Sequence, residues 1–122
     1  MDLMKVLVVE DEVPLAKTIS AKLKINGFDT TVAFDGLEAI ELLKAEKFNF
    51  VVLDLIMPRA DGFQVLEEMQ KMDHKPPVFV MTALSQPEDE KRALNLGAVV
   101  YLRKETVSLK ELIDKIKAYI GK

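Results

Sequence analysis

Residues 6–11 read Val6-Leu7-Val8-Val9-Glu10-Asp11, four apolar positions in a row closed by two acids. A strand with one wet face alternates apolar and polar residues, whereas a strand covered on both faces runs apolar without a break. This stretch therefore predicts a short interior strand of a parallel sheet, with its acids at the carboxyl end. The chain just downstream supplies a covering helix. Pro14 suits a first helical turn, and Leu15, Ile19 and Leu23 recur four residues apart on one face. Asn26-Gly27 ends that helix.

The alternation repeats along the chain. Phe28 to Ala33 reads as a second strand, more polar and so nearer an edge. Asp35-Gly36 turns into a helix with Leu37, Ile40 and Leu43 on one face. Phe48 to Leu53 is a third strand, almost wholly apolar. A loop from Leu55 to Gly62, with Met57-Pro58 and Asp61-Gly62, leads to a helix carrying Phe63, Leu66, Met69 and Met72. Pro76-Pro77 precedes a fourth strand, Val78 to Met81. Ser85 and Glu88 form a capping-box pattern for the fourth helix, and Gly97 fits its end. Val99 to Leu102 is the fifth strand. Ser108 and Glu111 repeat the capping pattern ahead of Leu109, Leu112, Ile113, Ile116 and Ile120. Five apolar strands alternating with five amphipathic helices specify an α/β domain, a parallel sheet covered on both faces. The 122 residues fit one domain, residues 1–122.

Composition narrows the chemistry. The chain is 49% hydrophobic and 30% charged, which is globular. It has no cysteine, so it offers no disulfide, thiolate zinc site or cysteine nucleophile. Its one histidine, His74, excludes a multi-histidine metal site and is expected in a loop beside Pro76-Pro77. No apolar run reaches membrane-spanning length, and the first residues lack the layout of a signal peptide. The expected location is cytoplasmic. A net charge of −3 is poor material for direct nucleic-acid binding. The charge is uneven: residues 91–122 hold eight Lys/Arg against three Asp/Glu. The fifth strand and fifth helix, with Lys110, Lys115 and Lys117, are therefore the expected docking face for a partner protein.

The polar residues left over by the core fall in one class of place. Strand one ends in Glu10-Asp11, strand three in Asp54, strand four in Thr82 and strand five in Arg103-Lys104. In a parallel sheet these ends share the edge where ligands of open α/β folds bind. If the strand order is the flavodoxin-like, doubly wound 2-1-3-4-5, borrowed from that class of fold, the reversal lies between strands one and three, beside Asp11 and Asp54. Three carboxylates in one crevice repel each other. A hard divalent cation removes that conflict, and Mg²⁺ characteristically takes one or two carboxylates together with phosphate oxygens. Lys104 would add a fixed positive charge and Thr82 a hydroxyl. That set suits phosphoryl transfer with Asp54 as nucleophile.

On these residues the sequence resembles the receiver domain of bacterial two-component response regulators, the chemotaxis-regulator-like kind, over essentially its full length. The carrying segments are residues 6–12, Asp54-Leu55-Ile56-Met57-Pro58-Arg59-Ala60-Asp61-Gly62, Met81-Thr82-Ala83, Gly97-Ala98 and Tyr101-Leu102-Arg103-Lys104. The resemblance implies that Asp54 accepts a phosphoryl group from a sensor histidine kinase or phosphotransfer protein. It implies that Asp11, Asp54 and the Ile56 carbonyl ligate Mg²⁺ while Glu10 helps through water, and that Lys104 contacts the phosphoryl group. Thr82 and Tyr101 would be the switch pair, and small Ala83 would leave room for the phosphodonor. Such a chain is a phosphoacceptor that promotes its own phosphorylation and dephosphorylation, and is not an enzyme in the ordinary sense. Its output would run to a downstream effector protein, with a phosphorylation-dependent dimer left open.

Two departures from the family pattern carry expectations. Glu105 stands where a proline usually follows the lysine, so the Lys104–Glu105 bond is expected trans, since a cis bond before a non-proline costs about 2.5–4 kcal/mol, with the loop after strand five rerouted. Ile56 and Leu84, two past Asp54 and Thr82, are apolar and cannot orient a hydrolytic water, which implies slow self-dephosphorylation. No effector segment follows the fifth helix in this sequence. Three other readings compete. A phosphatase using an aspartyl phosphate would want a second Asp at position 56 as general acid. A flavin or nucleotide binder would want a Gly-rich loop where Glu10-Asp11-Glu12 stands. A phosphorylation-independent pseudo-receiver would not need Asp11, Asp54, Thr82 and Lys104 together.

Overall fold

The computed structural model describes residues 3–121. Strand β1 (Lys5–Val9) leads to helix α1 (Val13–Ile25), β2 (Asp29–Ala33), α2 (Gly36–Ala45) and β3 (Phe50–Leu53). Helix α3 (Gly62–Gln70), β4 (Val78–Thr82), α4 (Pro87–Asn95), β5 (Ala98–Arg103) and α5 (Leu109–Tyr119) follow. The strands form one parallel sheet in the order β2-β1-β3-β4-β5. The expected doubly wound α/β architecture is therefore present. Val6 to Val9, all of β3 and all of β4 are buried, as uninterrupted apolar strands should be.

Two cores cover the sheet. Leu7, Val9, Val51, Leu53 and Val80 face α2 and α3, packed against Ile40, Leu43, Phe63 and Leu66. Val6, Val8, Phe50, Val52 and Phe79 face α1 and α5, packed against Ile19, Leu23, Leu112 and Ile116. On that second side Phe28, Phe50, Phe79 and Tyr119 make successive edge-to-face contacts, 5.3, 5.8 and 5.5 Å between ring centres. Such contacts add to the area each ring removes from water.

The structure differs from the sequence reading at several boundaries. Phe28 and Phe48 precede their strands, although both side chains are buried. Strand β5 spans Ala98–Arg103 and is only half covered, because it closes the open edge of the sheet. Leu37 is 43% exposed; the buried face of α2 is Gly36, Ala39, Ile40 and Leu43. At Gly36 a Cβ would collide with the Ala60 carbonyl oxygen, so the helix packs backbone against loop at that point.

Helix starts explain a further difference. Ser85 and Glu88 do not cap α4; Gln86 is its N-cap, with no side-chain hydrogen bond. Pro87 needs no amide partner and has its φ preset for a first turn, and Glu88, Asp89 and Glu90 then meet the positive end of the helix dipole. The expected box at α5 does form: Ser108 Oγ accepts from Glu111 N at 3.1 Å, and Ser108 N donates to Glu111 Oε1 at 3.3 Å. A second box, Asp61 with Gln64, caps α3 where the sequence reading saw only a turn. His74 lies in the loop before β4, where its Nε2 donates to the Phe48 carbonyl at 2.9 Å. Among the described residues no helix is long and apolar enough to cross a membrane.

Candidate functional site

The register of the central strands assembles the site. Val9 pairs with Leu53, so the residues that follow, Glu10 and Asp54, leave the sheet side by side. Asp54 N–H donates to the Val9 carbonyl at 3.0 Å, and Glu10 N–H to the Ala33 carbonyl at 3.0 Å, carrying sheet-like bonding one residue past each strand. On the other side Thr82 pairs with Arg103, and Lys104 N–H donates to the Thr82 carbonyl at 2.9 Å. Glycine is required at 62, because a Cβ there would lie 2.5 Å from the Asp54 carbonyl oxygen. Helix α3 can therefore start directly beneath the Asp54 backbone.

Glu10, Asp11 and Asp54 bring carboxylate oxygens within 4.8 Å of one another. Glu10 and Asp54 are almost fully buried, at 2% and 4% exposure, and Asp11 sits at the rim. Lys104 reaches across the crevice. Its Nζ lies 2.9 Å from Glu10 Oε1, 2.9 Å from Asp54 Oδ2 and 3.0 Å from Glu12 Oε1. The remaining oxygens are engaged from the backbone: Glu12 N–H donates to Glu10 Oε2 at 3.1 Å, and Ile56 N–H to Asp54 Oδ1 at 3.2 Å. Burial alone would push the Lys104 ammonium down, but hydrogen bonds to Glu10, Asp54 and Glu12 outweigh it and raise its pKa above the ordinary lysine value. Burial pushes the Glu10 carboxyl up, against the hydrogen bond from Lys104, and the Asp54 charge adds to the rise.

Thr82 is fully buried at the end of β4, and its Oγ1 accepts from Leu84 N–H at 3.4 Å. Tyr101 is half-buried on β5 and donates its hydroxyl hydrogen to the Leu84 carbonyl at 2.9 Å. Both switch candidates thus hold the same residue of the β4–α4 loop. Desolvation raises the Tyr101 pKa, with Asp89 and Glu90 adding to it. Ile56 is half exposed over the crevice loop, and Leu84 packs against the core. The Lys104–Glu105 bond is trans, as expected. The loop after β5 turns back through bonds from Thr106 and Val107 N–H to the Arg103 carbonyl, and Lys104 keeps its aim at Asp54.

The structure therefore brings together Glu10, Asp11, Asp54, Thr82 and Lys104, with Ile56 on the loop that follows. Tyr101 hydrogen-bonds none of the carboxylates and is linked to Thr82 through Leu84. The residue missed from sequence is Glu12, the third carboxylate on Lys104. Its one signal was adjacency to Glu10-Asp11, and its position at the start of α1 made it look like a helix-end charge. The basic tally of the last third also shrinks as a surface feature. Lys104 points inward, Lys110 pairs with Asp114 at 2.8 Å, and Lys117 donates to Asn26 Oδ1 at 2.9 Å.

Hard oxygen donors clustered at this spacing fit a small divalent cation. Comparison with known proteins identifies the family of the chain. The response regulator receiver domain family matches residues 6–117. A probable transcriptional regulator, ycf27 of Porphyridium aerugineum, is 40% identical over 116 residues, 95% of this chain and 48% of that protein. The chain thus spans about half the length of that curated relative. The receiver domain of a Francisella response regulator superposes with a TM-score of 0.88 at 37% identity, covering 94% of each chain. A chain of the CheX–CheY–BeF3–Mg²⁺ complex of Borrelia burgdorferi superposes at 0.89 with 26% identity, covering 98% of this chain and 90% of that one.

Proposed function

This chain belongs to the response regulator receiver domain family, and from that premise we propose that it is a phosphorylation-dependent signalling switch whose phosphoacceptor is Asp54. The observation that carries the reading is the Asp54 carboxylate, buried beside two further acids and held at 2.9 Å by Lys104. An Asp54 carboxylate oxygen attacks the phosphorus of a phosphohistidine on a sensor kinase or phosphotransfer protein. A P–O bond forms as the P–N bond breaks, and its electron pair returns to the imidazole, which takes up a proton. Asp11, Asp54 and the Ile56 carbonyl would hold Mg²⁺, with Glu10 assisting through water. When bound, that ion would neutralise charge on the phosphoryl oxygens.

The chain's own residues do the rest. Lys104 already stands at Asp54 and can follow the charge onto a phosphoryl oxygen. Thr82 then has a new acceptor for its hydroxyl. Its Oγ1 leaves Leu84 N–H, and the bond from Tyr101 to Leu84 carries the change to β5. Two arrangements of one loop, biased by hydrogen bonds to phosphate, are a sufficient switch. Output is to a downstream effector through the changed face.

The test is intact mass after incubation with Mg²⁺ and a small phosphodonor such as acetyl phosphate. The parent chain should gain one phosphoryl group, and Asp54→Ala should gain none. A parent that stays unmodified would favour the phosphorylation-independent pseudo-receiver.

A further inference from the structure

The loop between β3 and α3 contains the only non-glycine residue among those described with positive φ, Arg59 at 69°. Its neighbours close a γ-turn about it: Ala60 N–H donates to the Pro58 carbonyl at 2.8 Å. A γ-turn of this hand is rare and strained, and such strain persists only where surrounding contacts impose it. Those contacts come from the start of α2. Arg59 Nε donates to Asp35 Oδ2 at 3.0 Å and its terminal nitrogen to Asp35 Oδ1 at 3.2 Å, a two-pronged grip across 24 residues. Asp35 is itself fixed, because its Oδ1 caps α2 by accepting from Glu38 N–H at 2.8 Å. Ala60 is buried, with its carbonyl pressed on Gly36.

The same loop has a second job. Leu55 and Gly62 close it with a backbone bond of 2.9 Å, and its Ile56 N–H orients Asp54 Oδ1. Seven residues therefore bridge the phosphoacceptor to α3, with one anchor at each end and one in the middle. The middle anchor is the one made between two side chains.

We propose that Asp35 and Arg59 are positioning residues for the cation site: their ion pair holds the strained turn, and the turn sets the backbone at Ile56 and the carboxylate of Asp54. This rests on the phosphoacceptor reading above, and neither residue touches the cation or the phosphoryl group. Arg59 is largely exposed, so the effect is modest. A bidentate guanidinium–carboxylate grip also fixes direction, which a lysine cannot copy.

The test is Mg²⁺ titration of the full chain by calorimetry, paired with phosphorylation rates against Mg²⁺ concentration. The variants are Arg59→Ala, Arg59→Gly, Arg59→Lys, Asp35→Asn and the Arg59→Ala/Asp35→Asn double. Asparagine keeps the α2 cap, and glycine accepts positive φ without strain, so neither variant confuses loss of the grip with loss of folding. Arg59→Ala and Asp35→Asn should each weaken Mg²⁺ binding by about two- to fivefold, the range an exposed charge pair allows, whereas Arg59→Gly, which removes the strain along with the grip, should lose less than Arg59→Ala. The double should be no weaker than the weaker single, and Arg59→Lys should fall between. Half-saturating Mg²⁺ for phosphorylation should shift by the same factor while the rate at saturating Mg²⁺ holds. Parental Mg²⁺ affinity in Arg59→Ala and Asp35→Asn would overturn the proposal, as would a loss in Arg59→Gly as large as in Arg59→Ala or losses that multiply in the double. Asp54→Ala binding Mg²⁺ as tightly as the parent would instead sink the underlying site assignment.

Discussion

At Lys104 one ammonium serves three carboxylates, and the balance of burial against hydrogen bonding decides its charge. Its folded pKa lies above the ordinary lysine value. Stability from this group is thus fully present below the unfolded lysine pKa and is lost only as pH rises through the folded one, so it is intact across neutral pH. Glu10 has the opposite sense for an acid. Its pKa is raised in the fold, so folding favours its protonated form, and its charge costs stability once pH has risen through the folded pKa. Lys104→Ala should therefore lower stability at pH 7 without Mg²⁺ by about 1–3 kcal/mol, the cost of stranding buried charged partners. Urea unfolding should show the deficit narrowing as pH falls through the carboxylate range, because the stranded Glu10 then takes up a proton. A deficit that widens toward acid would contradict this account. Ile56 and Leu84 set a different quantity at the same scale. Neither can hydrogen-bond to an attacking water, so replacing both with polar side chains such as Asn and Gln should speed decay of the phosphorylated form. The loss of the added mass with time would report it, and equal decay in parent and double variant would refute it.

At the scale of elements, what matters is how each helix begins. Ser108 and Glu111 satisfy amides reciprocally at α5, while α4 starts on Gln86-Pro87 with acids in its first turn. Ser108→Ala should cost about 0.5–2 kcal/mol, and Ser85→Ala should be close to neutral, a contrast that thermal or urea unfolding would resolve. Similar losses in both would mean that α4 is capped as the sequence pattern suggested. The α2 start does two things at once, since Asp35 caps the helix and grips Arg59. Its carboxyl is held below the usual range by the Glu38 amide and then by Arg59. Strand β5 has one edge open and is only half covered.

Over the whole molecule, the two cores and the crevice draw on the same strands. Val6, Val8, Phe50 and Phe79 pack one side, Leu7, Val9, Leu53 and Val80 the other, and the residues just past them carry the chemistry. An ion bound only by the folded crevice must stabilise the entire domain. At a Mg²⁺ concentration one hundred times its dissociation constant, the gain is about 2.7 kcal/mol. Thermal unfolding should rise with Mg²⁺ in the parent and hardly at all in Asp54→Ala. An equal rise in both would place the ion elsewhere.

Sequence by itself determined the architecture and most of the site. Unbroken apolar runs such as Val6 to Val9 can be buried only in a sheet covered twice, and the first polar residue after each run must then fall on one edge. That logic reached Glu10, Asp11, Asp54, Thr82 and Lys104 without coordinates. Tertiary structure alone decided which charges meet. Glu12 on Lys104, and Arg59 on Asp35, join residues 92 and 24 positions apart. A charged side chain carries no periodicity that names its partner; only strand register and the close packing of Gly36 and Gly62 bring those pairs within reach.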